Sequence, residues 1–185
     1  MAPLDPAIES RDPSQLDLAF AAKLARLLAA CAARGTRFVP DCTVRGPARQ
    51  AQLYGKGRTV LELAAARAKM IEGGAPKLAA LLLDSYAEPA SAHVTHALPG
   101  EGWHEYLVAA DCFLEVDGAA VWSSPLYLSV YAEEAVKLGL TAGALWLKPK
   151  TDLDHVQASP FGSPLDEPGA TWESIEIRLA ELYAL

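Results

Sequence analysis

The stretch Tyr106-Leu107-Val108-Ala109-Ala110-Asp111-Cys112-Phe113-Leu114-Glu115-Val116-Asp117-Gly118-Ala119-Ala120-Val121-Trp122 governs the reading of the whole chain. Its apolar residues are dense over Tyr106 to Val116, where Leu107 to Ala110 leads into Cys112-Phe113-Leu114, and this makes it the best strand candidate of the chain. Asp117-Gly118 is a tight-turn pair, because both central positions of such a turn need positive φ. Ala119 to Trp122 then returns as the second strand of an antiparallel hairpin. Upstream the pattern is helical. Asp12-Pro13-Ser14 reads as a helix start, and Leu24, Leu27, Leu28 and Cys31 recur at helix spacing up to Gly35.

Working outward, Thr36 to Val39 reads as a short strand, with Cys42-Thr43-Val44 continuing the extended path. Pro47 opens a helix to about Tyr54, and Gly55-Lys56-Gly57 breaks it. Val60 to Glu72 is expected to be helical, closed by Gly73-Gly74. A further helix is expected from Pro76 through Leu78, Leu82 and Tyr86. Residues 89–99 read as loop. Tyr127 to Leu138 is expected as a helix, Ala144 to Leu147 and His155 to Gln157 as short strands, and Trp172 to Tyr183 as a final amphipathic helix. Helices come first and antiparallel hairpins follow, without a βαβ rhythm. The fold class is therefore α+β, a small antiparallel sheet flanked by helices.

The 185 residues suit one domain spanning 1–185, with a helical insertion at about 60–90. Hydrophobic residues make up 51% and charged residues 21%, a globular balance. The formal net charge of −7 argues against nucleic acid or an anionic membrane surface as partner. The longest apolar runs, such as Leu78 to Leu83, are too short to span a bilayer, so no membrane insertion is expected. The acidic stretch Met1 to Asp12 does not read as a signal peptide. Three cysteines, Cys31, Cys42 and Cys112, with no CxxC pair fit neither a disulfide framework nor a thiolate zinc site; buried free thiols are expected.

Only four histidines are present. Two keep company with carboxylates: His104 stands seven residues before Asp111, and His155 follows Asp152 and Asp154. Two imidazoles and a carboxylate suffice to hold zinc with one position open. An aspartate at a strand end is ordinarily a turn or cap residue and a single histidine an ordinary polar group, so His104 and Asp111 alone decide nothing. His155 adds weight, because Asp152 on the approaching turn has the position of a proton carrier. Asp154 is its rival, and strand alternation points Asp154 away from His155. His93 and His96, three apart on a loop, read as hydrogen-bonding residues. Trp103 is a candidate for packing or for stacking on substrate, and Trp146 reads as core.

Four separate segments carry a resemblance. Arg45 to Thr59 is similar to the R-x-x-x-x-Q-x-x-L-Y-x-x-G-R-T segment of the M15 zinc metallopeptidases, nearest to the L-alanyl-D-glutamate endopeptidase branch found in phage endolysins. Val94 to Gly100 resembles the approach to that family's first zinc motif, S-x-H-x-x-G-x-A-x-D. That motif here reads Gly102-x-His104-x-x-Leu107-x-Ala109-x-Asp111. Asp152-x-x-His155-Val156-Gln157 resembles the closing D-x-x-H-[FV]-Q block. Order and spacing agree over roughly residues 36–157.

The resemblance implies a Hedgehog/DD-peptidase-like fold and a Zn2+ ion held by His104, Asp111 and His155. It implies Asp152 as catalytic acid/base, and Arg45 as the group that polarises the scissile carbonyl or binds the peptide. Gln50, Leu53 and Tyr54 would pack the helix that positions Arg45. The implied substrate and partner is the stem peptide of bacterial peptidoglycan, cut by a monomeric hydrolase that is cytoplasmic or phage-encoded and released by lysis. A D-Ala-D-Ala carboxypeptidase of the same superfamily and a non-catalytic zinc-containing binding module are the alternatives. Two departures stand out: Gly102 replaces the usual serine, and Leu107 replaces the usual glycine. Substrate fit is where they would tell.

Overall fold

The computed structural model describes residues 3–148 and 150–185; the first two residues of the expected N-terminal lead-in lie outside them. In chain order the strands are β1 (Glu9–Ser10), β2 (Arg37–Cys42), β3 (Val44–Arg45), β4 (Ala109–Val116), β5 (Ala119–Val121), β6 (Thr141–Ala142) and β7 (His155–Gln157). The α-helices are α1 (Leu18–Ala33), α2 (Pro47–Gly55), α3 (Val60–Glu72), α4 (Pro76–Ala80), α5 (Glu133–Lys137) and α6 (Trp172–Leu182). Helix and antiparallel sheet are mixed, as expected of α+β. No helix among the described residues is long and apolar enough to cross a membrane.

The chain forms two compact units, each assembled from discontinuous segments. The first comprises Met1–Glu9, Arg45–Tyr106 and Phe161–Leu185; the second comprises Ser10–Val44 and Leu107–Pro160. The chain passes from one to the other after residues 9, 44, 106 and 160.

The second unit is built on the sheet. Its strand order is β2-β4-β7-β6, and β5 pairs the far end of β4. All pairings are antiparallel. β4 is central because every second residue is covered: Ala110, Cys112 and Leu114 are buried on one face. Helix α1 contributes Phe20, Leu24, Leu27 and Cys31 to the same core, at the spacing read from sequence. Its N-terminus is capped by Asp17, whose carboxylate accepts from the N–H groups of Ala19 and Phe20. Phe38 stacks on Tyr131 (centroids 4.6 Å apart) and meets Tyr127 edge-on (5.2 Å). Burying each such side chain contributes about 1.5–3 kcal/mol.

Three expectations in this unit are corrected. The strand expected from Tyr106 begins only at Ala109. A 3-10 turn occupies Trp103–Tyr106, and Leu107 then adopts φ 64°, which an extended strand cannot contain. The strand expected at 144–147 is instead Thr141–Ala142, followed by a 3-10 turn over Gly143–Leu145. The helix expected from Tyr127 opens with π-helical geometry over Tyr127–Ala132 before α5. The hairpin turn does form at Asp117 and Gly118, both with positive φ (51° and 79°).

In the first unit, α3 has the span read from sequence. Thr59 and Glu62 close a reciprocal cap at its start. The helix expected from Pro76 to Tyr86 stops at Ala80, and a 3-10 turn covers Asp84–Tyr86. Leu83 between them is extended, and the Leu82 carbonyl accepts from the Arg67 guanidinium instead of a helical N–H. Helix α4 has no side-chain cap of its own. The Glu176 carboxylate of α6 accepts its free Lys77 and Leu78 N–H groups at 2.6 and 2.9 Å.

Tyr127 ties the second unit together where β5 and β7 part company along β4. Its hydroxyl donates to the part-buried Val121 carbonyl (2.8 Å) and accepts from the buried Leu114 N–H (3.0 Å). Tyr127→Phe is expected to cost about 1–3 kcal/mol by leaving these groups without their partner. Urea unfolding measures this, and an unchanged midpoint would contradict it.

Candidate metal centre

The register between β4 and β7 puts Asp111 directly opposite His155. Opposed residues present their side chains on one face, within contact range. The Asp111 Oδ1 and His155 Nδ1 atoms lie 2.9 Å apart. Asp152, exposed on the approach to β7, completes a group whose possible ligand atoms all lie within 4.8 Å of one another. Cys42, a buried thiol on β2, opposes Asp111 from the other side. The Trp146 ring is 5.3 Å from the His155 ring; it is half-buried beside this site rather than deep core.

Gly143 makes the arrangement possible. A Cβ there would stand 2.5 Å from the Asp152 carbonyl oxygen and 3.1 Å from the Cβ atoms of both Asp152 and His155. The Asp152 N–H also donates to the Gly143 carbonyl (3.1 Å). The turn carrying the proton-carrier candidate thus packs against a bare backbone. No sequence motif marked this glycine; its only signal was its place after the short β6.

Electrostatically the cluster is crowded with acceptors. Burial alone would lower the His155 pKa, but the hydrogen bond to Asp111 and the charges of Asp111 and Asp152 outweigh it and raise the imidazole above its ordinary value. Asp154 is pushed up to about 8 by burial first, then by a hydrogen bond with Asp152 and the nearby carboxylates. Asp152 and Asp154 are therefore not strict rivals: they form a hydrogen-bonded carboxyl pair. Cys112, beneath Asp111 on the opposite face of β4, is an inert thiol, its pKa raised by burial. Cys31 is likewise buried and raised to about 11.

The imidazole and two carboxylates form a donor set that could hold a metal ion. Zinc takes imidazole nitrogen and carboxylate oxygen at about 2.0–2.2 Å, which sets neighbouring donors roughly 3.3 Å apart. The observed contact of 2.9 Å needs only a small opening to reach that value.

Leu107 answers one of the two departures from the motif. Its φ of 64° is the left-handed conformation that glycine adopts freely. Left-handed φ costs a leucine roughly 1–2 kcal/mol, and the buried Leu107 side chain offsets this with about 1.5–3 kcal/mol.

The other candidates read from the sequence, His104 and Arg45, lie in the first unit. His104 is buried in the 3-10 turn Trp103–Tyr106. Its neighbour Glu105 is wholly buried and accepts from the N–H groups of Gly100 (2.8 Å) and Gly102 (3.0 Å). Burial pushes Glu105 up to about 8, against the pull of those bonds and of the Arg45 charge. The Trp103 indole N–H donates to the Phe161 carbonyl (2.9 Å), which makes it a packing residue. Arg45 is half-buried at the end of β3, with Nε 3.9 Å from a Glu9 carboxylate oxygen.

The segment after Arg45 anchors a loop. Gln50 donates to Thr95 Oγ1 (3.2 Å) and the Ala97 carbonyl (2.8 Å). Arg58 donates to the Thr95 carbonyl (3.0 Å) and lies over the Tyr54 ring. Gly57, at φ 76°, lets His93 come close. The His93 and His96 rings are 5.7 Å apart on an exposed loop.

No protein-family model matches the chain, and a search of curated proteins finds no relative.

Gly143→Ala is expected to destabilise the protein by about 1–3 kcal/mol through overpacking; chemical denaturation tests this, and wild-type stability would refute it. A second expectation concerns pH in metal-free protein. Asp154 and Glu105 titrate near 8 when folded but near 4 when unfolded. His155 is raised as well. In all three cases the folded state holds protons that the unfolded chain releases, so stability falls as pH rises from about 4 to about 8. Melting temperature should be higher at pH 5.5 than at pH 8.5, and Asp154→Asn should flatten the slope. A melting temperature that climbs over this range would count against the assignment.

Proposed function

We propose that this protein is a zinc-dependent peptidase acting on the stem peptide of bacterial peptidoglycan, with a Hedgehog/DD-peptidase-like fold. The observation that carries the reading is the convergence of Asp111, Asp152 and His155 in the second unit. Those three come from two of the four segments that resemble the M15 peptidases. His104 as third ligand and Arg45 as the carbonyl-polarising or peptide-binding group rest on the sequence resemblance.

Bound zinc would supply a Lewis acid and an activated water at neutral pH. The residues divide the remaining work. Asp111 and His155 hold the ion from opposed positions on β4 and β7. Asp152, exposed at the mouth of this cluster, takes the proton of the attacking water and delivers it to the leaving amine. Asp154, hydrogen-bonded to Asp152 and with its pKa raised by burial, keeps the Asp152 carboxylate oriented. The glycine-like backbone at Leu107 supports a working motif over a decayed one, which favours the enzyme over a non-catalytic zinc module.

Purified protein should bind one zinc per chain by elemental analysis, and Asp111→Ala and His155→Ala should lose it. Peptidoglycan digestion should release new amino termini; free D-alanine instead would identify a carboxypeptidase. Asp152→Asn should keep the metal and lower the cleavage rate by about 10²–10⁴-fold. Protein that binds no zinc would overturn the reading.

A further inference from the structure

Gln157 is buried to 1% exposure in the middle of the sheet, paired to Ala109 on one side and Thr141 on the other. It stands two residues after His155, so both side chains lie on one face of β7. A buried amide needs its hydrogen bonds. The Gln157 side-chain nitrogen donates to the Ser159 carbonyl at 2.8 Å, and its oxygen lies 2.9 Å from His155 Nε2. The backbone carrying that carbonyl is pinned one residue earlier, where the Ala158 N–H donates to the Val108 carbonyl (2.9 Å).

We infer that Gln157 is a positioning residue: it locks His155 with the proton on Nε2 and so presents the Nδ1 lone pair to a divalent cation shared with Asp111. A carbonyl oxygen only accepts, so the atom of Gln157 facing Ser159 must be its nitrogen. The atom facing His155 is then the amide oxygen, which also only accepts. His155 Nε2 must therefore carry a hydrogen. With Nε2 protonated, the neutral ring has its lone pair on Nδ1, and Nδ1 is the atom 2.9 Å from the Asp111 carboxylate oxygen. Two acceptors at that distance require something positive between them; in the metal-free protein a second ring proton, on Nδ1, supplies it when the imidazole is charged. A metal ion fills this role with the ring neutral. The opposite tautomer would set a lone pair against the Gln157 oxygen, with no way to turn the amide that keeps the Ser159 bond. The chain Ser159–Gln157–His155 thus chooses which nitrogen faces the ion, as partners behind metal-bound histidines generally do.

This inference rests on the metal reading for its purpose, but its test separates from that reading. Long-range proton–nitrogen correlation spectra of the metal-free protein, at a pH where the ring is neutral, report the His155 tautomer directly. The Nε2–H form is expected in the wild type. Gln157→Met removes the acceptor at similar size and should release the tautomer preference and weaken zinc binding about 10–100-fold. Gln157→Glu keeps an acceptor facing Nε2, although it gives up the bond to the Ser159 carbonyl, and should restore the Nε2–H tautomer that Gln157→Met releases. An Nδ1–H tautomer in the wild type, or wild-type zinc affinity in Gln157→Met, overturns the inference even if the metal reading stands. Wild-type protein that takes up no zinc but shows the Nε2–H form overturns the metal reading and leaves the tautomer lock supported. Should Gln157→Met fail to fold, the wild-type spectrum and Gln157→Glu still decide.

Discussion

Register between β4 and β7 is the constraint on which the centre depends. Asp111 meets His155 only because Ala109 pairs with Gln157 and Ala110 with Val156. A slip of one residue would turn Asp111 into the core and carry Cys112 outward, since successive side chains face opposite ways. The buried residues forbid that slip. Ala110, Cys112 and Leu114 fill one face against α1 and the aromatic trio of Phe38, Tyr127 and Tyr131. The apolar core thereby sets the alignment of polar groups on the other face.

Much of the fold was legible because its signals are local. The Asp117-Gly118 turn and the Thr59 and Gly73 boundaries of α3 are short-range chemistry, and they appear where the sequence places them. Tertiary contacts account for what was misread. The helix after Pro76 fails to continue because Arg67, fifteen positions upstream of Leu82, binds the Leu82 carbonyl. The strand expected around Trp146 is displaced because Gly143 must turn under Asp152.

For the candidate centre, the sequence supplied Asp111, Asp152 and His155, and the cross-strand pairing brings them together. Asp154 was set aside by strand alternation, which does not see a hydrogen bond made two residues away on a turn. Gln157 had its place in a motif but no role, since the role depends on the Ser159 carbonyl beyond it. Leu107 reads from sequence as a strand residue, yet it is held at φ 64°, the conformation that glycine adopts freely. His104 and Arg45 stand on the resemblance and on their own surroundings within the first unit.

The order of the segments has a consequence for how such a protein could be rebuilt. β2 and β4 are antiparallel neighbours, with Cys42 opposite Asp111. Everything from Arg45 to Tyr106 therefore leaves and re-enters the sheet between two adjacent strands. In topological terms that whole stretch occupies the place of a hairpin loop. Replacing it with a few turn-forming residues would make the sheet unit one continuous chain. Lineages could thus lengthen or trade this excursion without rewiring the order of the strands.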